Sequence, residues 1–237
     1  MNNWKTIWEN KTINADKQTT LQDLINADGF DSRCGGYTEE MWQLLVADFV
    51  KKATPKRGSN ILEIGCGSGA FLYQLNKIVQ GNLYGIDLSE NLIKIARRIL
   101  PKGQFVKSEA NSRQFPEISF DCIFSHSVFF YFPSHSYVEE VIQIWSEKLV
   151  SGGKLILLDL NDEARKNEYY RDRLTAFPSR QAYEQYYAGL EHLHFDKKKL
   201  ELILKKNSMI DITTFPHAVN NYNQSQYRFN MICTKKT

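Results

Sequence analysis

A glycine-rich turn beside a carboxylate carries the clearest chemistry in this sequence. Residues 61–69 read ILEIGCGSG and join an apolar, strand-like run to a helical pattern that starts at Ala70. Glycines at such a junction let a ligand approach the backbone closely. The spacing Gly65-x-Gly67-x-x-Ala70 also fits a dinucleotide fingerprint, so the glycines predict a nucleotide-type ligand without deciding which one.

Glu63 narrows the choice of ligand. A central strand of a parallel sheet is expected to be apolar on both faces, and an unpaired buried carboxylate costs several kcal/mol. An internal salt bridge is one explanation for Glu63. A ligand that brings its own ammonium group explains this carboxylate better.

Two more carboxylates follow the next two strand-like runs. Asp87 lies in the segment GIDLS at 85–89, where a carboxylate can accept both ribose hydroxyls of an adenosine ligand. Helix capping is the alternative for Asp87, but Ser89 already supplies a cap. Glu109 lies in the segment SEA at 108–110 and could accept a hydrogen bond from an adenine amino group. An exposed loop glutamate would also account for it.

The elements that must position these residues alternate between apolar strands and amphipathic helices. This alternation predicts an α/β fold with a doubly wound, mostly parallel sheet and helices on both faces. The predicted strands are 60–64, 83–86, 104–106, 122–124 and 154–160, followed by two closing strands at 210–215 and 226–234.

Two regions flank this core and define the predicted domains. Residues 1–58 have a helical pattern, and we expect an N-terminal helical cover there, with a second domain at 59–237. Residues 161–196 are polar and rich in tyrosine, and they separate the fifth strand from a helix near 197–206. We expect this insertion to act as a lid, because tyrosine combines a large rigid face with a polar end.

Composition excludes several classes of protein. The chain has 30 basic and 27 acidic residues, and its net charge of +3 is too small to predict a nucleic-acid partner. No apolar run approaches the roughly 18 residues of a membrane span, and the first residues show no secretory signal. The cysteines are widely spaced, so we expect reduced thiols in a cytoplasmic protein and no metal site. They are Cys34, Cys66, Cys122 and Cys233.

Five segments together resemble the class I, Rossmann-like S-adenosylmethionine-dependent methyltransferases. They follow the family's order and spacing over about residues 59–160, as LEIGCGSG (62–69), GIDLS (85–89), EA (109–110), FDCIFS (120–125) and LVSGGKL (149–155). The resemblance implies a seven-stranded sheet and a methyltransferase domain at 59–237. It also implies S-adenosyl-L-methionine as cofactor and S-adenosyl-L-homocysteine as product.

The resemblance assigns cofactor contacts along these segments. The implied contacts are Tyr37, Glu63, Gly65, Cys66, Gly67, Asp87, Leu88, Glu109, Ala110 and Ser125. Gly65 and Gly67 would lie under the methionine part of the cofactor, Asp87 would hold the ribose, and Glu109-Ala110 would hold the adenine. The family more often has Asp at the position of Glu109. Tyr37 resembles an N-terminal tyrosine that covers the cofactor in related enzymes, with core packing as the alternative.

Motifs that this sequence lacks narrow the substrate. The Asp/Asn-Pro-Pro-aromatic segment of the family's base-amino methylases is replaced by SHSV at 125–128, and no Pro-Cys pair occurs. A metal-dependent catechol type would need carboxylates after the fourth and fifth strands, where only Asp159 and Asp162 occur. The chain therefore resembles the small-molecule methyltransferases, which predicts methyl transfer to an O or N atom of a small metabolite.

His126 and Tyr131 are the catalytic candidates. His126 follows the fourth strand at the end where ligands lie in doubly wound sheets. A neutral imidazole there could accept the nucleophile's proton, with a packed core histidine as the alternative. Tyr131 lies in an aromatic run, where a wall of the cavity is the alternative role. His192 and His194 are expected on one side of a short strand, facing the cavity or solvent, and Arg228 is expected in a surface ion pair or against an anionic substrate.

Two other classes of function stay open. A nicotinamide-dependent oxidoreductase would share the glycine turn and Asp87 but would give Glu63 no partner. A non-catalytic adenosylmethionine-binding subunit would bind the cofactor without turning over a substrate. The sequence predicts neither the methyl acceptor nor the oligomeric state.

Overall fold

The computed structural model describes residues 4–11, 19–30 and 36–237. Its seven described strands form one sheet in the order β3-β2-β1-β4-β5-β7-β6. They are β1 (Asn60–Ile64), β2 (Asn82–Asp87), β3 (Gln104–Lys107), β4 (Phe120–His126), β5 (Leu149–Asn161), β6 (Met209–Phe215) and β7 (Arg228–Lys235). The first five strands pair in parallel, whereas β7 runs antiparallel to β5 and β6. The predicted seven-stranded, mostly parallel Rossmann-like sheet is confirmed.

Helices precede the sheet, connect its strands and follow β5. They are α1 (Trp4–Glu9), α2 (Leu21–Ala27), α3 (Glu39–Ala53), α4 (Ala70–Ile78), α5 (Glu90–Ile99), α6 (His135–Glu147), α7 (Lys166–Leu174), α8 (Arg180–Tyr186) and α9 (Lys197–Lys206). Polar side chains begin several of them, since Thr38 accepts from the Met41 N–H and Ser89 accepts from the Leu92 N–H. The predicted helix at 197–206 is α9, and α7 and α8 lie within the insertion at 161–196.

Helices cover both faces of the sheet, which is why its strands are apolar on both sides. On one face Ile61 and Phe124 share a core with residues of α2, α3, α4 and α5. On the other face Leu62 and Ile123 share a core with α6 and α9. Successive residues of a strand therefore face opposite layers, and each fully buried apolar side chain contributes about 1.5–3 kcal/mol. The doubly wound arrangement is confirmed.

The strand order also locates the expected ligand crevice. The chain leaves β1 toward β2 on one side, while β4 occupies the other side of β1. Ligands of open α/β sheets bind beyond the carboxyl ends of the strands at such a switch point. The turn after Ile64 and the residues after His126 therefore face the same crevice.

Candidate active site

A cavity of about 1030 Å³ lies at this switch point. Its lining residues come from α1, the glycine turn, the ends of β2 and β4, the insertion after β5, and β7. Among the predicted cofactor contacts, those that line it are Glu63, Gly65, Cys66, Gly67, Asp87, Leu88 and Ala110. Both catalytic candidates, His126 and Tyr131, also line it. The fold thus brings most of the predicted site together.

Two positions of the glycine turn that line the cavity require glycine. Gly65 and Gly67 have φ angles of +74° and +52°, in the left-handed region that favours glycine. A side chain at Gly65 would collide with Val128, and one at Gly67 would collide with the carboxylate of Asp28. The Gly65 and Cys66 N–H groups both donate to the Ile86 carbonyl, at 2.8 and 2.9 Å, which fixes the turn against β2.

Glu63 is a buried carboxylate that still lacks a partner. Its side chain lines the cavity, only 3% of the residue is exposed, and Oε2 has no hydrogen-bond partner among the described residues. Burial, reinforced by the nearby carboxyl groups of Asp28 and Asp87, raises the pKa of Glu63 well above its usual value. No salt bridge within the described residues explains this carboxylate, whereas a cationic ligand group would.

Asp87 ties the glycine turn to the second strand. Its Oδ2 accepts from the Gly67 N–H at 2.9 Å, and its Oδ1 accepts from the Ser89 N–H at 2.8 Å. Burial raises the pKa of Asp87, although these two hydrogen bonds oppose the shift. Each carboxylate oxygen can accept a second hydrogen bond, so Asp87 can hold a ligand hydroxyl while it braces the turn.

Asp28 is a site residue that the sequence did not reveal. It follows α2, lines the cavity, and accepts from the Ser68 N–H at 2.6 Å through Oδ1. Burial raises the pKa of Asp28 to about 7, against the opposing hydrogen bonds from Ser68. With Glu63 and Asp87 it makes this end of the cavity strongly acidic. No local motif marks Asp28, because its partner lies 40 residues further along the chain.

Three predicted cofactor contacts do not line the cavity among the described residues. The Glu109 carboxylate pairs with Lys5 Nζ at 2.5 Å on the surface, while its neighbours Ser108 and Ala110 line the cavity. The Ser125 hydroxyl donates to the Ile64 carbonyl at 2.8 Å. Tyr37 is buried in the core with its hydroxyl 2.8 Å from His217 Nε2, which favours the packing alternative.

His126 lies where the sequence predicts, but in an apolar setting. Its ring stacks on Phe30 at 5.3 Å and meets Trp42 edge-on at 5.3 Å between ring centroids. Its Nε2 is buried without a hydrogen-bond partner among the described residues. Burial lowers the pKa of His126 to about 4, despite the opposing effect of Asp159. The imidazole is therefore neutral at physiological pH.

The ends of β4 and β5 hold strained backbone next to a buried ion pair. Ser127 and Asp159 have φ angles of +56° and +61°, a conformation that costs about 1–3 kcal/mol for a non-glycine residue. The Ser127 hydroxyl donates to Asp159 Oδ2, and Arg228 Nε lies 3.7 Å from Asp159 Oδ1. Burial disfavours the charged form of Asp159, but Arg228 and His217 outweigh it and hold the pKa of Asp159 below its usual value. The Asp159 carboxylate therefore stays charged at the carboxyl edge of the sheet, beside Arg228.

Arg228 corrects one expectation of the sequence. A surface ion pair was the simpler expectation, but Arg228 is only 8% exposed and lines the cavity. His192 also lines the cavity, whereas His194 is buried against Tyr169 at 5.3 Å between ring centroids. The two histidines lie on an extended segment outside the named strands, and neither faces solvent as the alternative expectation had it.

The described residues also bear on metals, thiols and membranes. Within these residues no three His, Cys, Asp or Glu side chains are grouped as metal ligands. Cys66, Cys122 and Cys233 are buried free thiols, and Cys34 lies outside the described residues. No helix in the described ranges combines the length and apolar character that a membrane crossing requires.

The family model and the curated relatives each match part of the chain. Residues 62–157 match a family model described as a methyltransferase domain. Phosphoethanolamine N-methyltransferase 1 of Arabidopsis thaliana is 26% identical over 147 residues, which cover 58% of this chain and 29% of the relative. The ubiquinone/menaquinone biosynthesis C-methyltransferase of Pseudomonas entomophila (strain L48) is 26% identical over 119 residues, or 47% of this chain and 45% of the relative. The match thus spans less than half the length of either relative.

A solved structure shares the fold over more of the chain. Phosphoethanolamine N-methyltransferase 2 of Haemonchus contortus, in complex with phosphomonomethylethanolamine and S-adenosylhomocysteine, matches with a TM-score of 0.63 and 15% identity. The match covers 93% of this chain and 61% of that one. Residues 62–157 are thus similar to a methyltransferase domain, and the chain shares its fold with a solved methyltransferase structure.

Proposed function

We propose that this protein transfers the methyl group of S-adenosylmethionine to an O or N atom of a small metabolite. The observation that carries the proposal is Glu63, a buried carboxylate with an unpartnered oxygen beside a turn that requires glycine. A nicotinamide cofactor would leave that carboxylate unexplained. The amino-acid part of adenosylmethionine supplies an ammonium group that explains it.

The residues present fit this cofactor at both of its ends. Glu63 and Asp28 line the cavity and would accept hydrogen bonds from the ammonium group, and Gly65 and Gly67 in the same wall would lie beside the methionine chain. Asp87 retains acceptor capacity for the ribose hydroxyls, and Ala110 lines the wall expected for the adenine. When bound, the cofactor supplies an electrophilic methyl group on a sulfonium centre.

The chain's own contribution to the reaction is to position the acceptor and exclude water. The cavity is walled by aromatic groups, and Tyr131 contacts Trp4 and Phe130 with ring centroids 4.7 and 4.3 Å apart. His126 is our candidate proton acceptor because it lines the cavity with a free Nε2. Its pKa of about 4 keeps it available as a neutral base but makes it a weak one.

We also propose that the insertion at 161–196 and α1 close over the acceptor. The Trp4 indole N–H of α1 donates to the Glu191 carbonyl of the insertion at 3.3 Å, and the Trp4 ring stacks on His192 at 4.9 Å. Because closure encloses the cavity, it favours a small molecule over a polymer as methyl acceptor. The free thiols of the described cysteines support a cytoplasmic location.

The relatives do not identify the methyl acceptor. One is named for an amine substrate and another for methylation at carbon, so the acceptor must be found by experiment. Purified protein would be incubated with methyl-labelled adenosylmethionine and fractionated metabolite pools, and labelled products would be identified by mass spectrometry. We expect one labelled small molecule and stoichiometric S-adenosylhomocysteine.

A thermal-shift series separates this proposal from its alternatives. S-adenosylhomocysteine at about 100 times its dissociation constant should stabilise the protein by roughly 2.7 kcal/mol, and NAD should not. Stabilisation by NAD alone would point to the oxidoreductase. Stabilisation by S-adenosylhomocysteine without labelling of any metabolite would point to the non-catalytic subunit.

A further inference from the structure

Tyr169 of α7 gathers three nitrogen-bearing side chains at the lid end of the cavity. Its hydroxyl accepts from Arg173 Nη1 at 2.8 Å and lies 2.8 Å from His192 Nδ1. The guanidinium carbons of Arg173 and Arg228 lie 5.1 and 6.0 Å from the centre of its ring. These four residues, which we call the Tyr169 cluster, come from α7, the segment after α8, and β7. Its three nitrogen-bearing members all line the cavity.

The hydrogen bonds of the Tyr169 cluster are compatible with a buried donor on His192. Because the Arg173 guanidinium can only donate, the Tyr169 oxygen accepts from it, and the Tyr169 O–H can donate to His192 Nδ1. In that tautomer the proton of the neutral imidazole is on Nε2. This Nε2 is buried and has no hydrogen-bond partner among the described residues. Burial, with the charges of Arg228 and Arg173, holds the pKa of His192 well below its usual value, so the ring is neutral.

The positive charge of the cluster is only partly compensated. Among the described residues Arg173 pairs with no carboxylate; its guanidinium hydrogen-bonds the hydroxyls of Tyr169 and Tyr183 and lies 4.6 Å from the centre of the Tyr187 ring. Arg228 has one anionic neighbour, Asp159 at 3.7 Å, but its Nε is buried without a hydrogen-bond partner. Within the described ranges, Arg173 is therefore left without a counter-charge at this end of the cavity.

The carboxylate of Asp172, which is next to Arg173 in the chain, is already engaged. Asp172 lines the cavity, but it accepts from the Tyr227 hydroxyl and lies 3.6 Å from Arg171 Nε. The acidic group of Glu63, Asp28 and Asp87 lines the same cavity. The cavity is thus acidic where the cofactor's ammonium is expected and basic at the lid.

We propose that the Tyr169 cluster is an anion-binding subsite and that the methyl acceptor carries a phosphate or carboxylate group held by Arg173 and Arg228. The assignment rests on the proposed function, because it places the acceptor at the end of the cavity away from the glycine turn. A guanidinium binds such anions through paired N–H donors, and the His192 Nε2–H supplies a further donor. Such contacts are strong where water is excluded.

Anion binding by the full chain tests this assignment. Protein saturated with S-adenosylhomocysteine would be titrated calorimetrically with inorganic phosphate and, separately, with acetate at constant ionic strength. We expect saturable binding of at least one anion. Tighter binding of phosphate would identify a phosphate-bearing acceptor, and tighter binding of acetate would identify a carboxylate-bearing one.

Paired arginine variants on the same helix locate the subsite. Arg173→Gln should weaken anion binding about tenfold or more, because a charge-assisted contact is lost. Arg171→Gln is the matched control, since Arg171 is 74% exposed and has the same charge, and it should change anion affinity by less than about twofold. Arg173→Lys keeps the charge but loses the paired N–H donors of the guanidinium, so its anion affinity should lie between those of wild type and Arg173→Gln.

Three results would overturn the assignment. They are the absence of anion binding in the wild type, equal losses in the Arg173→Gln and Arg171→Gln variants, and undiminished binding in Arg173→Gln. Circular dichroism of each variant separates loss of the subsite from loss of folding, and Tyr169→Phe provides a second test that removes only the hydroxyl. S-adenosylhomocysteine affinity is measured on the same samples. Its absence would count against the proposed function, whereas its presence without anion binding would count against the subsite alone.

Discussion

Replacing Glu63 with glutamine isolates the charge that we assign to the cofactor's ammonium group. The substitution keeps the shape of a side chain that is 3% exposed and removes the carboxylate whose Oε2 has no partner among the described residues. A hydrogen bond to a charged group is worth about 1.5–3 kcal/mol. Affinity for S-adenosylhomocysteine should therefore fall roughly 10- to 150-fold. Because the carboxylate is buried, water cannot replace the lost contact, which favours the upper part of that range.

Calorimetry with two ligands makes the Glu63 prediction specific. 5′-Methylthioadenosine shares the adenosine and sulfur of S-adenosylhomocysteine but lacks the amino-acid end, so Glu63→Gln should change its affinity by less than about threefold. Glu117→Gln is the control, since Glu117 is an exposed glutamate in the loop before β4. If Glu63→Gln weakened both ligands equally, or neither, the ammonium group would not be bound by Glu63 and the reasoning would be refuted.

Four further predictions follow from the same structure. The pKa of Asp28 rises from 3.8 to about 7 on folding, so its stabilising contribution is complete below pH 3.8 and is lost as the pH rises through about 7. Between pH 5 and pH 8 the free energy of unfolding, measured with urea, should therefore fall less in Asp28→Asn than in wild type, and equal falls in the two proteins would contradict this. His126→Ala should lower turnover about 10²–10⁴-fold if His126 is the base, and an unchanged rate would mean that His126 only forms a wall of the cavity. Because the pKa of His126 is about 4, the wild-type pH–rate profile should show no step near pH 6.5 from this group. Hydrogen exchange in 161–196 and α1 should slow when S-adenosylhomocysteine and the identified acceptor are both bound, and Trp4→Ala should reduce that protection; unchanged exchange in wild type would refute closure. Phe124→Ala should cost about 3–5 kcal/mol in urea unfolding, because Phe124 is fully buried within 4.7 Å of the Phe71 ring; a loss below 1 kcal/mol would mean that the core there can collapse.

The sequence by itself determined the sheet and the position of the glycine turn. Strand and helix periods depend on which neighbouring residues are apolar, so the alternation from 60 to 160 could be predicted along the chain. The glycine turn was also visible, because positive φ angles restrict Gly65 and Gly67 to one residue type. Glu63 was recognisable because a central strand of a parallel sheet is normally apolar on both faces, so a carboxylate there needs an explanation.

Only the tertiary structure decided how distant polar groups meet. Asp28 hydrogen-bonds Ser68, which is 40 residues away in the sequence. Lys5 pairs with the Glu109 carboxylate, 104 residues away, and the Ser125 hydroxyl donates to the Ile64 carbonyl, 61 residues away. The burial of Arg228 was also decided by the tertiary structure, because an arginine is expected at the surface and the position of this one in β7 buries it. The physical reason is that a polar side chain's partners and burial depend on how separate elements pack. No local periodicity records that packing, so the acidic end of the cavity could be partly predicted from its motifs and the basic end could not.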